Sequence, residues 1–289
     1  MRLWTFCLGA IALTGCSEIM IGGRPLVRNG TDDVDAASAR HDWAALDTMC
    51  KDTSRHTDAD ARKAACNRLH QRDIDVVVSA PCDQKWEVAK TEQHSGTVRG
   101  EVEVAKSFFA CNLGDKLVGE NGGWVSVVSD FDKWQAAGLP VTETVLRVLA
   151  SPEGATLRVD QIAGLVDYAV RKDALNACDP ILARFQNAPV MKKSAAGRYF
   201  VAGKCGAAVP MFEGMLAEGD ARVRQNACWS LGEIGGRSSV AKLGILADSD
   251  AAFEVVDLNK VYFVRDACRA AAGKIRLRNT GAGGRMSAR

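Results

Sequence analysis

The sequence is poor in aromatic residues, in histidine and in net charge. Aromatic side chains make up 6% of the 289 residues, whereas 47% are hydrophobic. The formal net charge of +2 gives no basis for binding nucleic acid or a strongly anionic surface. After the N-terminal residues, no apolar run approaches the roughly 20 residues that a membrane-spanning helix needs. The composition therefore favours helices packed through Ala, Val and Leu.

Recognisable catalytic motifs are also missing. The sequence contains no Gly-x-Ser-x-Gly, no His-Glu-x-x-His and no phosphate-binding loop. No Cys-x-x-Cys pair occurs, so a thioredoxin-like redox role has no motif. Most histidines have polar neighbours, which is typical of solvated surface side chains; they are His41, His56, His70 and His94. We predict no catalytic residue and no bound cofactor or metal.

The first sixteen residues have the pattern of a lipoprotein export signal. Met1-Arg2 is a short basic start, and residues 3–13 are mainly apolar but too few to span a bilayer. They end on Leu13-Thr14-Gly15-Cys16, which resembles the lipobox of bacterial lipoproteins. The resemblance implies cleavage before Cys16, a diacylglycerol thioether on its thiol and acylation of its new amino group. The alternative is an ordinary secretory signal with a chance cysteine.

The residue after the lipobox bears on the address of the protein. Ser17, not aspartate, follows Cys16. By resemblance to proteobacterial lipoproteins, this favours a lipid anchor in the outer membrane, facing the periplasm. Two or three acyl chains give stable anchoring, whereas one chain is marginal. The leaflet that carries the anchor stays open.

Composition and periodicity divide the chain into segments. Two short runs could be strands instead of helices: "DIDVVVSA" (73–80) and "WVSVV" (124–128). Elsewhere most apolar clusters have helical spacing. We predict a signal peptide (1–15), a lipidated tether (16–35), an N-terminal helical pair (36–81), an irregular, mainly helical middle segment (82–177), helical repeats (178–276) and a flexible tail (277–289).

The strongest pattern is "DARVRQNACWSLGEIG" at 220–235. Its apolar residues recur at steps of four, four and three, and Asp220 is a natural N-cap. "VRQNACWSLGEI" (223–234) aligns with "VRDACRAAAGKI" (264–275), 41 residues later. The small Ala227 and Gly232 leave room for a neighbouring helix. Paired helices recurring in this way favour a stacked array.

Residues 178–276 resemble HEAT repeats, particularly the short HEAT-like type also found in phycobilisome lyases. The Asp220-x-x-x-Arg224 start and the Leu-Gly-x-Ile-Gly end of this helix carry the resemblance. It implies an all-α fold, an α-solenoid of helical hairpins. HEAT-type proteins usually use this arginine in an Asp–Arg ladder between repeats. The alternative is that Arg224 and Arg265 form a ridge that binds acidic groups.

Cysteine usage agrees with export. Of ten cysteines, Cys7 lies in the signal and Cys16 is the lipid site, which leaves eight that suit an oxidising compartment. Stacked repeats would bring Cys178 to Cys205 and Cys228 to Cys268. Our hypothesis is sequential pairing: Cys50–Cys66, Cys82–Cys111, Cys178–Cys205 and Cys228–Cys268. The alternative is a zinc site built from Cys50, His56, Cys66 and His70.

Five tryptophans remain after processing: Trp43, Trp86, Trp124, Trp134 and Trp229. Most tryptophans of a helical protein fill its core, and we expect that for three or four of these. Trp124 follows Gly122-Gly123 and is our candidate for an exposed partner contact. The sequence as a whole predicts a membrane-anchored, periplasm-facing lipoprotein that acts as a protein-binding scaffold or an envelope assembly factor, with an unidentified envelope protein as its partner. The alternatives are a lyase-like envelope enzyme and the metal module; the oligomeric state stays open.

Overall fold

A computed structural model describes residues 20–21, 24–25, 30–53, 57–92, 98–122 and 127–283. This part of the chain is mostly helical, with fifteen α-helices and two small antiparallel strand pairs. None of its helices has both the length and the apolar composition to cross a bilayer. The predicted signal peptide, Cys16 and Trp124 lie outside the described residues. Two compact units are present, Met1–Val98 and Arg99–Arg289.

The first unit is built around one long helix. Its elements are β1 (Met20–Ile21), β2 (Arg24–Pro25), α1 (Thr31–Ala39), α2 (Trp43–Lys51), α3 (Ala59–Ser79) and α4 (Lys85–Thr91). α1 and α2 both pack on α3, burying Val34, Leu46 and Leu69. The run 73–80 is therefore helical up to Ser79, not a strand. Length decides this, since the run continues an established helix of 21 residues.

Aspartates begin three helices as the sequence predicts. The Asp42 carboxylate accepts from the Ala45 amide at 3.1 Å, and Asp58 accepts from Ala61 at 2.6 Å. Asp220 accepts from the Arg222 and Val223 amides at 2.7 and 3.3 Å. Each carboxylate accepts a hydrogen bond from an amide that has no partner within the helix. Its negative charge is also stabilised by the positive end of the helix dipole.

The second unit contains eleven helices in its described part. They are α5 (Val102–Ala110), α6 (Gly114–Asn121), α7 (Val127–Ala136), α8 (Val141–Ala150), α9 (Val159–Arg171), α10 (Cys178–Phe185), α11 (Val190–Ala202), α12 (Val209–Met215), α13 (Ala221–Ile234), α14 (Arg237–Ser249) and α15 (Phe263–Gly283). Of the run 124–128, only Val127 and Val128 are described, and they lie in α7.

Alternate helices of the second unit pack in chain order. α9 contacts α11, α11 contacts α13, and α13 contacts α15. Intervening helices pack against them: α10 on α11, α12 on α13, and α14 on α15. The buried side chains between them are largely aliphatic or small, among them Leu165, Ala196, Ala227, Leu231 and Ile275. Each helix thus buries an apolar side that it could not bury alone.

A β-hairpin joins α14 to α15, and sequence patterning missed it. β3 (Glu254–Val256) pairs antiparallel with β4 (Asn259–Val261). Its turn residues, Asp257 and Leu258, have φ of 48° and 66°. Turns of this kind normally use Asn-Gly or Asp-Gly, and here Leu258 stands where glycine is expected, so the usual hairpin signal is incomplete in the sequence.

Three disulfides follow the sequential scheme. Cys50 is bonded to Cys66, Cys178 to Cys205 and Cys228 to Cys268. Cys82 and Cys111 are also disulfide-bonded, and their mutual pairing stays a prediction. The zinc alternative loses both sulfur ligands, because Cys50 and Cys66 are bonded to each other; His56 lies outside the described residues. The described residues contain no group of three or more His, Cys, Asp or Glu side chains that could hold a metal ion.

A buried junction at the end of α14 connects three helices. The Arg224 guanidinium on α13 contacts both Asp250 carboxylate oxygens, at 2.7 and 3.1 Å. Arg224 also donates to the Glu218 and Gly219 carbonyls, which end the preceding turn. From α15, Arg265 donates to the Asp250 carbonyl at 2.6 Å and stacks on Tyr262. Both arginines therefore make contacts within the fold, and the carboxylate that Arg224 binds is that of Asp250.

Asp250→Asn should destabilise the protein strongly. The Asp250 side chain is only 5% exposed. Asparagine carries no charge, so the mostly buried Arg224 guanidinium would lose its counter-ion. Losing one partner of such a pair costs about 3 kcal/mol. Chemical denaturation at pH 7 would measure the loss. Asp248→Ala, at an exposed position of α14, is the control and should change the free energy of unfolding by less than about 0.5 kcal/mol.

The same pair sets a pH dependence. The Arg224 guanidinium keeps the pKa of Asp250 below its usual range. The stability gained this way is present above the unfolded-state pKa of about 4 and is lost as pH falls through the folded-state value. The free energy of unfolding of the natural protein should therefore fall as the pH is lowered from 6 to 3. It should fall less steeply in Asp250→Asn. Parallel curves for the two proteins would contradict this assignment.

Peptide mapping without reductant tests the cysteine scheme. Digestion of the oxidised protein should release the linked pairs Cys50–Cys66, Cys178–Cys205 and Cys228–Cys268, together with Cys82–Cys111. Each bridge is expected to contribute about 2–4 kcal/mol. A linkage of Cys50 to any of the last four cysteines, or free thiols at these positions in the oxidised protein, would reject it.

Candidate functional site

The second unit carries a partly open groove with a mainly apolar lining. It has a volume of about 550 Å³ and crosses α11, α12, α13 and α15. We call it the Trp229 groove. Its lining residues are Ser194, Gly197, Arg198, Val201, Phe212, Met215, Asn226, Trp229, Ser230, Gly232, Glu233, Ala270, Ala271 and Lys274. A volume of this size accommodates several side chains of a bound molecule.

Small residues create the depth of the Trp229 groove. A Cβ added at Gly232 would lie 3.1 Å from the Ala271 Cβ, so α13 and α15 meet there almost backbone to backbone. A Cβ at Gly197 would lie 3.0 Å from the Phe212 ring. Phe212 and Met215 are each 1% exposed and form the floor. Larger residues at the two glycines would fill the space or push the helices apart.

One large aromatic side chain stands out of this surface. Trp229 is 54% exposed, although its neighbours Ala227 and Cys228 are fully buried. Trp86 and Trp134 are core residues, as expected of most tryptophans, and the Trp134 indole donates to the Gly100 carbonyl at 2.9 Å. Trp124, our predicted contact, lies outside the described residues. The exposed anchor that the structure describes is therefore Trp229.

The sequence did carry a signal for Trp229. It lies three residues after Asn226 and four before Glu233, and both are polar lining residues. Residues at these spacings share one side of a helix. Trp229 was not singled out from the sequence, because Trp124, beside two glycines, was selected as the exposed candidate. The position of a residue around the helix, and not the burial of its neighbour in the chain, indicates whether it is exposed.

Charged side chains lie at the margin of the groove. The Glu233 carboxylate contacts Lys274 of α15 and, at 3.3 Å, Lys204 at the end of α11. The Lys274 hydrogen bond, with help from Lys204, keeps the pKa of Glu233 below its usual range, so this carboxylate is ionised near neutral pH. Arg198, another lining residue, pairs with Asp167 of α9.

This arrangement suits binding rather than proton transfer. The lining residues include no histidine or cysteine, and the one carboxylate among them is engaged by lysine. The hydroxyls of Ser194 and Ser230 and the amide of Asn226 can exchange hydrogen bonds with a bound chain. An exposed tryptophan beside a buried apolar floor is the usual composition of a binding hot spot.

The β3–β4 hairpin is a second exposed apolar feature of the same unit. Leu258 at its turn is 98% exposed, and Val255 is 64% exposed. The hairpin has only three residues in each strand. It therefore ranks below the groove as a candidate site.

No protein-family model matches the chain, and comparisons with curated proteins and with solved structures find no match. Function is therefore inferred from the residues and from the Trp229 groove.

Gly232→Val tests the close contact that forms the groove. The valine side chain would collide with Ala271, and we expect a loss of about 1–3 kcal/mol in the free energy of unfolding. Gly244 on α14 is a matched helical control, because nothing lies within 4 Å of a Cβ added there. Gly244→Val should not destabilise. Equal effects of the two substitutions, measured by chemical denaturation, would show that α13 and α15 do not meet at Gly232.

Proposed function

We propose that this chain is a lipid-anchored helical repeat protein of the bacterial envelope that binds another protein through the Trp229 groove. The observation that carries the proposal is the exposed Trp229 indole beside a buried floor of Phe212 and Met215. Monomeric surfaces rarely leave a large aromatic residue exposed at the opening of an apolar groove unless a partner covers it.

The repeat architecture is part of the proposal. Serial packing of α9, α11, α13 and α15, each covered by its neighbour, is the contact pattern expected of stacked helical hairpins. Together with the Asp220-x-x-x-Arg224 pattern, this supports a HEAT-like α-solenoid over residues 178–276. The groove would then lie on the surface formed by the second helices of successive hairpins, and such surfaces bind extended partners in repeat proteins.

Membrane attachment is supported by the sequence and by the state of the cysteines. Leu13-Thr14-Gly15-Cys16 supplies the acylation site, and Ser17 favours the outer membrane. Disulfides persist in oxidising compartments such as the periplasm, and eight cysteines of the chain are disulfide-bonded. A lipid on Cys16 would hold the binding surface near the membrane, where its partner would be found.

The alternative is a lyase-like envelope enzyme. It rests on the resemblance of one repeat type to phycobilisome lyases, and that resemblance carries no catalytic residue to this chain. No group in the Trp229 groove favours it. Binding without catalysis is therefore the better supported function.

Crosslinking in cells that make the lipidated protein tests the proposal. A photoreactive residue replacing Ser230, in the groove, should give a discrete adduct with one envelope protein. Adding Trp229→Ala should reduce that adduct about tenfold or more, since loss of a hot-spot aromatic costs 2 kcal/mol or more. Ile245→Ala is the control; Ile245 is 66% exposed on α14, outside the groove, and should leave the adduct unchanged.

Two outcomes would count against the proposal. An adduct that is unaffected by Trp229→Ala would show that Trp229 does not contribute to binding. Turnover of an envelope substrate by the isolated protein would favour the enzyme.

The lipid anchor is tested separately. Cys16→Ser should abolish incorporation of labelled palmitate and release the protein from membranes.

A further inference from the structure

The charges around the Trp229 groove are unbalanced. Two ammonium groups, those of Lys204 and Lys274, share the single carboxylate of Glu233. Both lysine side chains are more than half exposed, whereas that of Glu233 is 34% exposed. The cluster therefore carries one surplus positive charge that faces solvent at the groove margin. We call it the Lys204–Glu233–Lys274 cluster.

A neighbouring arginine prevents the end of α13 from cancelling this charge. The last carbonyls of a helix are the negative end of its dipole and would repel an anion. Arg278 covers them, donating to the Gly232, Glu233 and Gly235 carbonyls at 2.7–2.8 Å. The margin of the groove beside Trp229 is thus cationic, both in its side chains and at the helix end.

The apolar part of the groove is adjacent to this cluster along both helices. Trp229 lies one helical turn before Glu233, and Ala270 and Ala271 lie one turn before Lys274. Residues three or four apart on a helix are surface neighbours. If a side chain of a partner packs on the Trp229 indole, the residues that follow it in the partner can therefore reach the two ammonium groups.

We propose that the partner of the Trp229 groove presents an acidic segment in which a bulky apolar residue is followed closely by a carboxylate. The apolar side chain packs on Trp229 above Phe212 and Met215, and the carboxylate pairs with Lys274 and Lys204. This inference rests on the proposed binding function and specifies the chemistry of its partner. Charge complementarity of this kind governs partner choice and the rate of association.

Two labelled peptides of twelve residues serve as probes. Both carry Leu and Phe at the same positions; the intervening residues are Glu in one peptide and Lys in the other. Fluorescence anisotropy with the full-length oxidised protein should show about tenfold tighter binding of the Glu peptide at low salt. Raising the salt to physiological strength should shrink that preference, because exposed charges are screened over a Debye length of about 8 Å.

Variants separate charge from apolar contact. Lys274→Glu should weaken binding of the Glu peptide by about fivefold or more and improve binding of the Lys peptide. Lys274→Ala should give a smaller loss in the same direction, with an unchanged melting temperature as the check on folding. Lys106→Glu makes the same charge change on α5, outside the groove, and should alter neither affinity more than twofold. Trp229→Ala should weaken both peptides.

The outcomes distinguish this inference from the binding function beneath it. Equal affinity for the two peptides, or a preference for the Lys peptide, would overturn the acidic partner; if Trp229→Ala still weakened binding, the groove would remain the binding site. Binding that responds to neither Trp229→Ala nor Lys274→Glu would overturn both proposals.

Discussion

The close approach of α13 and α15 is the constraint on which the rest of the second unit depends. Gly232 lies so near Ala271 that a single added carbon atom would press on it, and the Cys228–Cys268 disulfide holds the same two helices one turn earlier. Helices of ordinary side-chain size stay 8–10 Å apart. Here the small residues let the helices approach, bury Leu231 and Ile275 between them and leave room for a groove over Phe212 and Met215.

The same physical device recurs where α6 meets α9. Gly164 of α9 lies directly against the Gly122 carbonyl, and the Gln161 amide on the same helix donates to the Gly119 carbonyl at 3.1 Å. Polar junctions then fix the order of the helices that small residues bring together. At Asp250, two arginines from different helices converge on one residue, so that α13, α14 and α15 are held at a common point.

Much of the local structure could be predicted from the sequence, because it depends on near neighbours. Asp220 begins α13 as a capping aspartate, and the spacing of Val223, Ala227 and Leu231 gives its buried side. The partner of Arg224 could not be predicted, since Asp250 is 26 residues away and lies close only after α14 has packed. The β3–β4 hairpin was missed because Leu258 occupies the turn position at which glycine is usual. Trp229 was not singled out, for a different reason: its exposure depends on which side of α13 the neighbouring helices cover.

Hydroxyl-radical footprinting with mass spectrometry tests the central claim most directly, namely that Trp229 stands exposed above a closed apolar floor. Met191 is 50% exposed and Met215 is 1% exposed, so the two methionines calibrate the experiment within one protein. The account predicts rapid oxidation of Trp229 and Met191 and protection of Met215, Trp134 and Trp86. Protection of Trp229 in the free protein, or oxidation of Met215 as fast as that of Met191, would contradict it.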